Sequence, residues 1–141
     1  ESCTAGLLAE RITRVAGSSE YYLGGVVTYT NQLKQELLGV SALSLERHGA
    51  VSRQVVVEMA TGAVKRLGSD FGLAISGVAG PGGGTDQKPV GTVHVALGDS
   101  GGGAEHRELH LPGGRNRVRW LASQWALDLL RRRLQSARSV G

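Results

Sequence analysis

Apolar residues recur three and four positions apart at Ala5, Leu8, Ile12 and Val15, the spacing of one helical face. Thr4 stands before this run and Gly17 after it, so the pattern predicts a helix over residues 5–16 with Thr4 as its N-cap. The β-branched stretch LGGVVTYT predicts a strand over 23–30. Asn31 can cap a helix over 32–38 that Gly39 ends, and Ser44 to His48 predicts one further helical turn closed by Gly49. Ser52 caps a stronger helix with Val56, Met59, Ala63 and Leu67 on one face and Gly68 after it. Short apolar runs over 71–76 and 92–97 predict strands on either side of a glycine-rich connection, and 105–111 a third strand after the turn GDSGGG. Pro112-Gly-Gly precedes a long helix with Val118, Leu121, Ala122, Trp125 and Leu129 in a single stripe, three arginines (131–133) toward its end and a frayed tail from Ser136. Helices alternating with strands in this order predict an α/β fold in three layers.

The glycine-rich connection changes the picture most. Between the two strands lie Gly77, Gly80, Gly82, Gly83 and Gly84, then Lys88 before Pro89. Glycines let backbone N–H groups approach a ligand closely, so the loop reads either as a cradle for phosphate or polar substrate or as a long β-connection. It is neither GxGxxG leading into a helix nor GxxxxGK[ST], so dinucleotide and P-loop chemistry do not follow.

Composition narrows the class. The 141 residues make one domain, and with 4% aromatic residues the core must come from Leu, Val, Ile and Ala. Cys3 is the single cysteine, which precludes an internal disulfide and fits a reducing cytoplasm. No apolar run spans a bilayer and no signal peptide is apparent, so no membrane is expected. The net charge of +4 permits acidic substrates; nucleic acid is not expected, because the C-terminal arginines lack neighbouring stacking aromatics and any recognition motif. The chain opens at Glu1 without methionine and runs straight into a helical pattern, from which a longer parent chain is expected.

Several residues could carry chemistry. Ser2 and Cys3 lie at the mouth of the first predicted helix, where N–H groups favour developing negative charge. Ser2 could be a nucleophile, or Ser2 or Thr4 could merely cap the helix; the Cys3 thiol could have a lowered pKa and be the nucleophile instead, the commoner alternative being a buried structural cysteine. Tyr29 ends a predicted strand and Lys34 lies one turn into the next helix, so both can point at one end of the sheet. A desolvated lysine can act as base near neutral pH, as in serine–lysine hydrolases, with Tyr29 relaying the proton. The alternative is a solvated lysine and a half-buried tyrosine. His106 and His110, four apart on a strand, would sit roughly 13 Å apart, too far for one metal ion. Arg115, Arg117 and Arg119 cluster where the last helix begins; one or two could reach a phosphate in the glycine loop, the alternative, above all for Arg117, being a solvated helix start.

In order along the chain, ESCTAG (1–6), VVTYTNQLKQELLGV (26–40), HGAVS (48–52), ISGVAGPGGG (75–84), KPVGTV (88–93) and PGGRNRVR (112–119) resemble the CinA C-terminal domain family. That family includes the nicotinamide mononucleotide amidohydrolases known as PncC. The resemblance implies a three-layer α/β/α sandwich with a mixed β-sheet, cleavage of the nicotinamide amide to give nicotinic acid mononucleotide and ammonia, no cofactor or metal, and a homodimer. It implies Ser2 as nucleophile with Tyr29 and Lys34 as activating partners. A small nucleotide would contact Thr4, Gly6, Asn31, Gly77, Ala79, Gly80, Gly82, Lys88, Thr92 and Arg115, with N–H groups around Thr4 to Gly6 holding the oxyanion and Arg115 or Arg119 at the phosphate. The competing implication is an idle regulatory or partner-binding domain of a competence- or damage-inducible protein. Two departures stand out. The family has a second glycine where this chain has Ala5, whose methyl would either crowd the substrate or favour the helix. The family also has a helix and strand ahead of ESCT, so further residues are expected upstream of Glu1.

Overall fold

The computed structural model describes residues 1–139. Along the chain run α1 (Leu7–Thr13), a 3₁₀ turn (Ser18–Glu20), α2 (Asn31–Leu38), α3 (Ala42–His48), α4 (Arg53–Leu67), β1 (Phe71–Gly77), β2 (Thr92–Asp99), β3 (Ala104–His110) and α5 (Arg115–Ser139). The strands form one sheet in the order β1-β2-β3, antiparallel throughout, with Ile75 opposite Val95 and Val95 opposite Arg107.

Alternation along the strands divides the interior in two. Ile75, Val93, Val95, Leu97 and Leu109 face Leu8 of α1 and Val118, Ala122, Ala126 and Leu129 of α5. Ala74 and Ala96 face the other way, toward Leu38 of α2, Leu45 of α3, and Val55, Val56, Met59 and Ala60 of α4. The small residues on that second face let α4 lie close: a Cβ on Gly72 or Gly98 would meet the backbone of Ala60. Helices therefore cover both faces, and the α/β/α layering is present. Among the described residues no helix is long and apolar enough to cross a membrane.

The strand expected over 23–30 carries no strand ladder. A strand needs a partner for its N–H and C=O groups, and among the described residues the main-chain bonds to 23–29 come from Glu1. The Glu1 nitrogen donates to the Val26 carbonyl (2.7 Å) and the Thr28 N–H to the Glu1 carbonyl (2.9 Å). This pair of bonds straddles Val27 as between parallel neighbours. The Ser2 N–H then donates to the Ile75 carbonyl at 3.1 Å. Residues 1–2 thus lie between the 26–28 segment and β1, and the parallel part of the mixed sheet is reduced to this bridge.

Helix boundaries differ in three instructive places. The first helix begins at Leu7 because Ala5 (φ 46°) and Gly6 (φ 99°) are both left-handed. Thr30, not Asn31, caps α2, its hydroxyl accepting from the Leu33 N–H at 3.2 Å. The last helix runs on through Ser139, so Arg131 and Arg132 pair with Asp128 inside the helix and Arg133 reaches Asp99, rather than all three sitting at its end. Residues 140–141 of the expected frayed tail lie outside the described residues.

Candidate active site

Lys34 is the largest fully buried side chain, only 1% exposed. It lies on the inward face of α2, and no carboxylate pairs with it among the described residues. Its Nζ donates to the Thr28 carbonyl (2.7 Å) and to Ser2 Oγ (3.2 Å), with the Tyr29 carbonyl at 3.5 Å. Burial holds its pKa below the ordinary 10.5, with Cys3 a smaller influence in the opposite sense. A buried amine without an anion favours its neutral form, and a neutral amine beside a serine hydroxyl can take its proton.

Ser2 is presented on a tight turn. The Ala5 N–H donates to the Ser2 carbonyl at 3.0 Å. The Glu1 carboxylate accepts from the N–H groups of Gly6 (3.1 Å), Leu8 (3.0 Å) and Ala9 (2.9 Å), so Glu1 caps α1. Thr4, expected as the cap, has no partner for its buried hydroxyl. Arg119 closes the other side of the turn, Nε on the Cys3 carbonyl (3.0 Å) and Nη2 on the Thr4 carbonyl (2.8 Å). Cys3 is 6% exposed and burial pushes its thiol up to about 11. Burial thus disfavours the thiolate at Cys3, and the hydroxyl that meets the Lys34 amine is that of Ser2.

The glycine-rich loop is tied down by its own backbone. Val78 N–H donates to the Thr92 carbonyl, Gly91 N–H to the Val78 carbonyl (both 2.8 Å), and Thr85 N–H to the Lys88 carbonyl (2.9 Å). Gly77 lies so close to β2 that a Cβ would stand 2.6 Å from Val93 Cγ2. The Gly80 carbonyl accepts from Arg115 Nη1 at 2.9 Å, and Arg115 Nη2 lies 3.5 Å from the Tyr29 hydroxyl. Ala79 and Thr92 are buried, the Thr92 hydroxyl without a partner, while Gly82 and Asn31 are exposed.

Two groups of expected residues thus come together: Ser2 with Lys34, and Tyr29 with Arg115 and Gly80. Tyr29 is 57% exposed and its hydroxyl turns to Arg115, not to Ser2 or Lys34, so a proton relay through it has no hydrogen-bonded path. The expected donors around Thr4 to Gly6 are largely committed, Ala5 to Ser2 and Gly6 to Glu1. Lys88 stands apart, its Nζ on the His48 carbonyl at 2.6 Å. Arg119 is held by the Ser2 turn rather than left free for phosphate. A surface depression of about 400 Å³ among Arg53, Gln54, Val57, Glu58, Ala104 and His106 shares no residue with this arrangement.

Glu1 and Arg119 escape sequence reasoning as parts of the turn. The Glu1 cap acts over five to eight residues, beyond the three-residue reach of a capping box. Arg119 acts across 116 positions, with no local signal at all.

The sequence profile of the CinA C-terminal domain matches residues 1–134. A CinA-like protein of Koribacter versatilis is 52% identical over 134 residues, covering 95% of this chain and 32% of its own length. Another from Mycolicibacterium vanbaalenii is 54% identical over the same span and share. The chain therefore spans about a third of the length of the curated relatives it matches. Among solved structures, a competence/damage-inducible protein from Agrobacterium tumefaciens superposes with a TM-score of 0.89 at 45% identity, over 92% of this chain and 79% of that one. A CinA superfamily protein from Klebsiella pneumoniae gives 0.91 at 38%, over 96% and 84%. With its Ser2–Lys34 pair on a fold that these structures share, the chain belongs to the CinA C-terminal domain family.

Proposed function

We propose that this domain hydrolyses the amide of nicotinamide mononucleotide through a serine nucleophile. The observation that carries the reading is the buried, uncompensated Lys34 amine 3.2 Å from Ser2 Oγ. The nucleotide itself comes from the family resemblance. Neutral Lys34 takes the Ser2 proton as Oγ attacks the amide carbon. It returns that proton to the departing nitrogen, so that the C–N bond breaks with release of ammonia. Water then cleaves the nicotinoyl ester, leaving the carboxylate of nicotinic acid mononucleotide and regenerating the serine. Arg115 is the basic group assigned to the phosphate: it spends Nη1 on the Gly80 carbonyl of the glycine loop but keeps Nη2 beside the exposed Tyr29. Arg119, by contrast, is committed to two carbonyls of the Ser2 turn, and Lys88 lies across the loop at His48. Tyr29, exposed and beside Arg115, is better suited to contact the nucleotide than to move a proton.

Ammonia release from nicotinamide mononucleotide by the full-length protein, beside Ser2→Ala and Lys34→Met, tests this. A loss of about 10³-fold or more in both variants is expected. An active Ser2→Ala protein would exclude the serine mechanism. A folded parent that releases no ammonia favours the regulatory or partner-binding reading instead.

A further inference from the structure

Arg119 stands one helical turn after Arg115, and its guanidinium binds the Ser2 turn at two successive carbonyls, those of Cys3 and Thr4. A trans peptide is planar and its N–H points opposite its C=O. Holding the Cys3 carbonyl toward α5 therefore turns the Thr4 N–H away from α5. Holding the Thr4 carbonyl aims the Ala5 N–H, which bonds the Ser2 carbonyl at 3.0 Å and so sets the peptide that carries the Cys3 N–H. From Ser2 to Ala9, every N–H has an acceptor among the described residues except those of Cys3 and Thr4. Both residues are buried, and buried N–H groups without an acceptor are rare. A cation on a carbonyl also strengthens the N–H of the same peptide as a donor.

We propose that Arg119 is a positioning residue for Ser2, which orients the Cys3 and Thr4 N–H groups toward the oxygen that becomes negative as Ser2 attacks. This rests on the serine mechanism above. Arg119 touches neither substrate nor the reacting atoms; it acts through the two peptides it holds. The assignment also separates its role from that of Arg115, whose contacts are with the Gly80 carbonyl and Tyr29 on the other side of the site.

The test compares the full-length parent with Arg119→Met, Arg119→Lys and Arg119→Ala, all assayed well below their melting temperatures. Turnover and KM for nicotinamide mononucleotide are measured separately, together with the rate at which a fluorophosphonate probe labels Ser2. In that labelling the serine oxygen bonds phosphorus, fluoride leaves and the serine proton is released. Arg119→Met is expected to lower kcat by about 10²-fold, with KM within about twofold and labelling slowed in step. Arg119→Lys, able to hold one carbonyl, should recover part of the loss, and added guanidinium should partly restore Arg119→Ala. A purely structural role would change the melting temperature without this split or this rescue. An active parent that depends on Ser2, with kcat unchanged in Arg119→Met, overturns the inference alone. So does a loss confined to KM. If Arg119→Met does not fold, the same criteria apply to Arg119→Lys and to guanidinium rescue of Arg119→Ala. A folded parent with neither labelling at Ser2 nor ammonia release overturns the serine mechanism and this inference together.

Discussion

Ala5 shows what one methyl group does at this site. Its methyl is exposed, and it lies before α1, so it supports no helix. Its cost is a left-handed backbone (φ 46°) that glycine adopts freely. Ala5→Gly should therefore stabilise the protein by about 1 kcal/mol, the relief of strain exceeding the added freedom of the unfolded chain. A rise in the urea midpoint at unchanged slope would show it, and a fall would mean that the turn is not strained. Lys34 gives the residue-scale pH dependence. Its folded pKa lies below the unfolded 10.5, so activity should rise with pH as the amine loses its proton, and kcat/KM should show an ascending limb with its midpoint below 10.5. Stability has the same sign. Between the folded value and 10.5 the unfolded chain binds more protons, so unfolding free energy rises with pH across that window. In Lys34→Met that rise should be absent; its persistence would assign it to another group. Ser2 and Lys34 were legible as candidates from their places near element ends, and the structure brings them into contact. The direction of the Tyr29 side chain was not, because it depends on Arg115 from the far end of the chain.

At the scale of elements, apolar period and glycine stops located α2 to α5 and all three strands. The errors arose where the controlling partner is remote. The 23–30 segment has the composition of a strand, but among the described residues its cross-strand main-chain bonds come from Glu1, and α1 is capped by a carboxylate that precedes its own turn. The His94 and His106 rings, stacked with Nδ1 and Nε2 2.9 Å apart, are brought together by the β2–β3 register, which no spacing along the chain reveals. Gly62 offers a prediction at this scale. Replacing glycine inside a helix by alanine ordinarily stabilises by about 1 kcal/mol. In α4, however, a Cβ at Gly62 would fall on the Leu38 carbonyl, at the C-terminal end of the helix that carries Lys34. Gly62→Ala should instead destabilise by about 1–3 kcal/mol and lower activity by shifting Lys34. A stabilised, fully active Gly62→Ala protein would mean that α2 and α4 can separate without disturbing the site.

Across the whole molecule, the sheet brings together groups from opposite layers. Lys34 arrives on α2 from the face packed by α4, and Arg115 and Arg119 arrive on α5 from the other face. Ser2 lies between them, tied to Ile75 of β1. Alternating elements announced the layers, but nothing in sequence spacing said that Arg119 would hold the Ser2 turn while Arg115 turned to Gly80 and Tyr29. That division leads to the last prediction. A ligand that binds only the folded state raises its unfolding free energy by RT ln(1 + [L]/Kd), about 2.7 kcal/mol at a hundred times Kd. Nicotinic acid mononucleotide, the proposed product, is not consumed and should raise the melting temperature by several degrees at saturation. In Arg115→Ala, which loses the proposed phosphate contact, the same concentration should give a much smaller rise, while nicotinic acid alone should produce little shift in either protein. Lys88→Ala should respond like the parent, since its amine is held at His48. Equal shifts in the parent and Arg115→Ala, with the response lost in Lys88→Ala, would move the phosphate to the α3 side of the loop and require Lys88 to leave its carbonyl on binding.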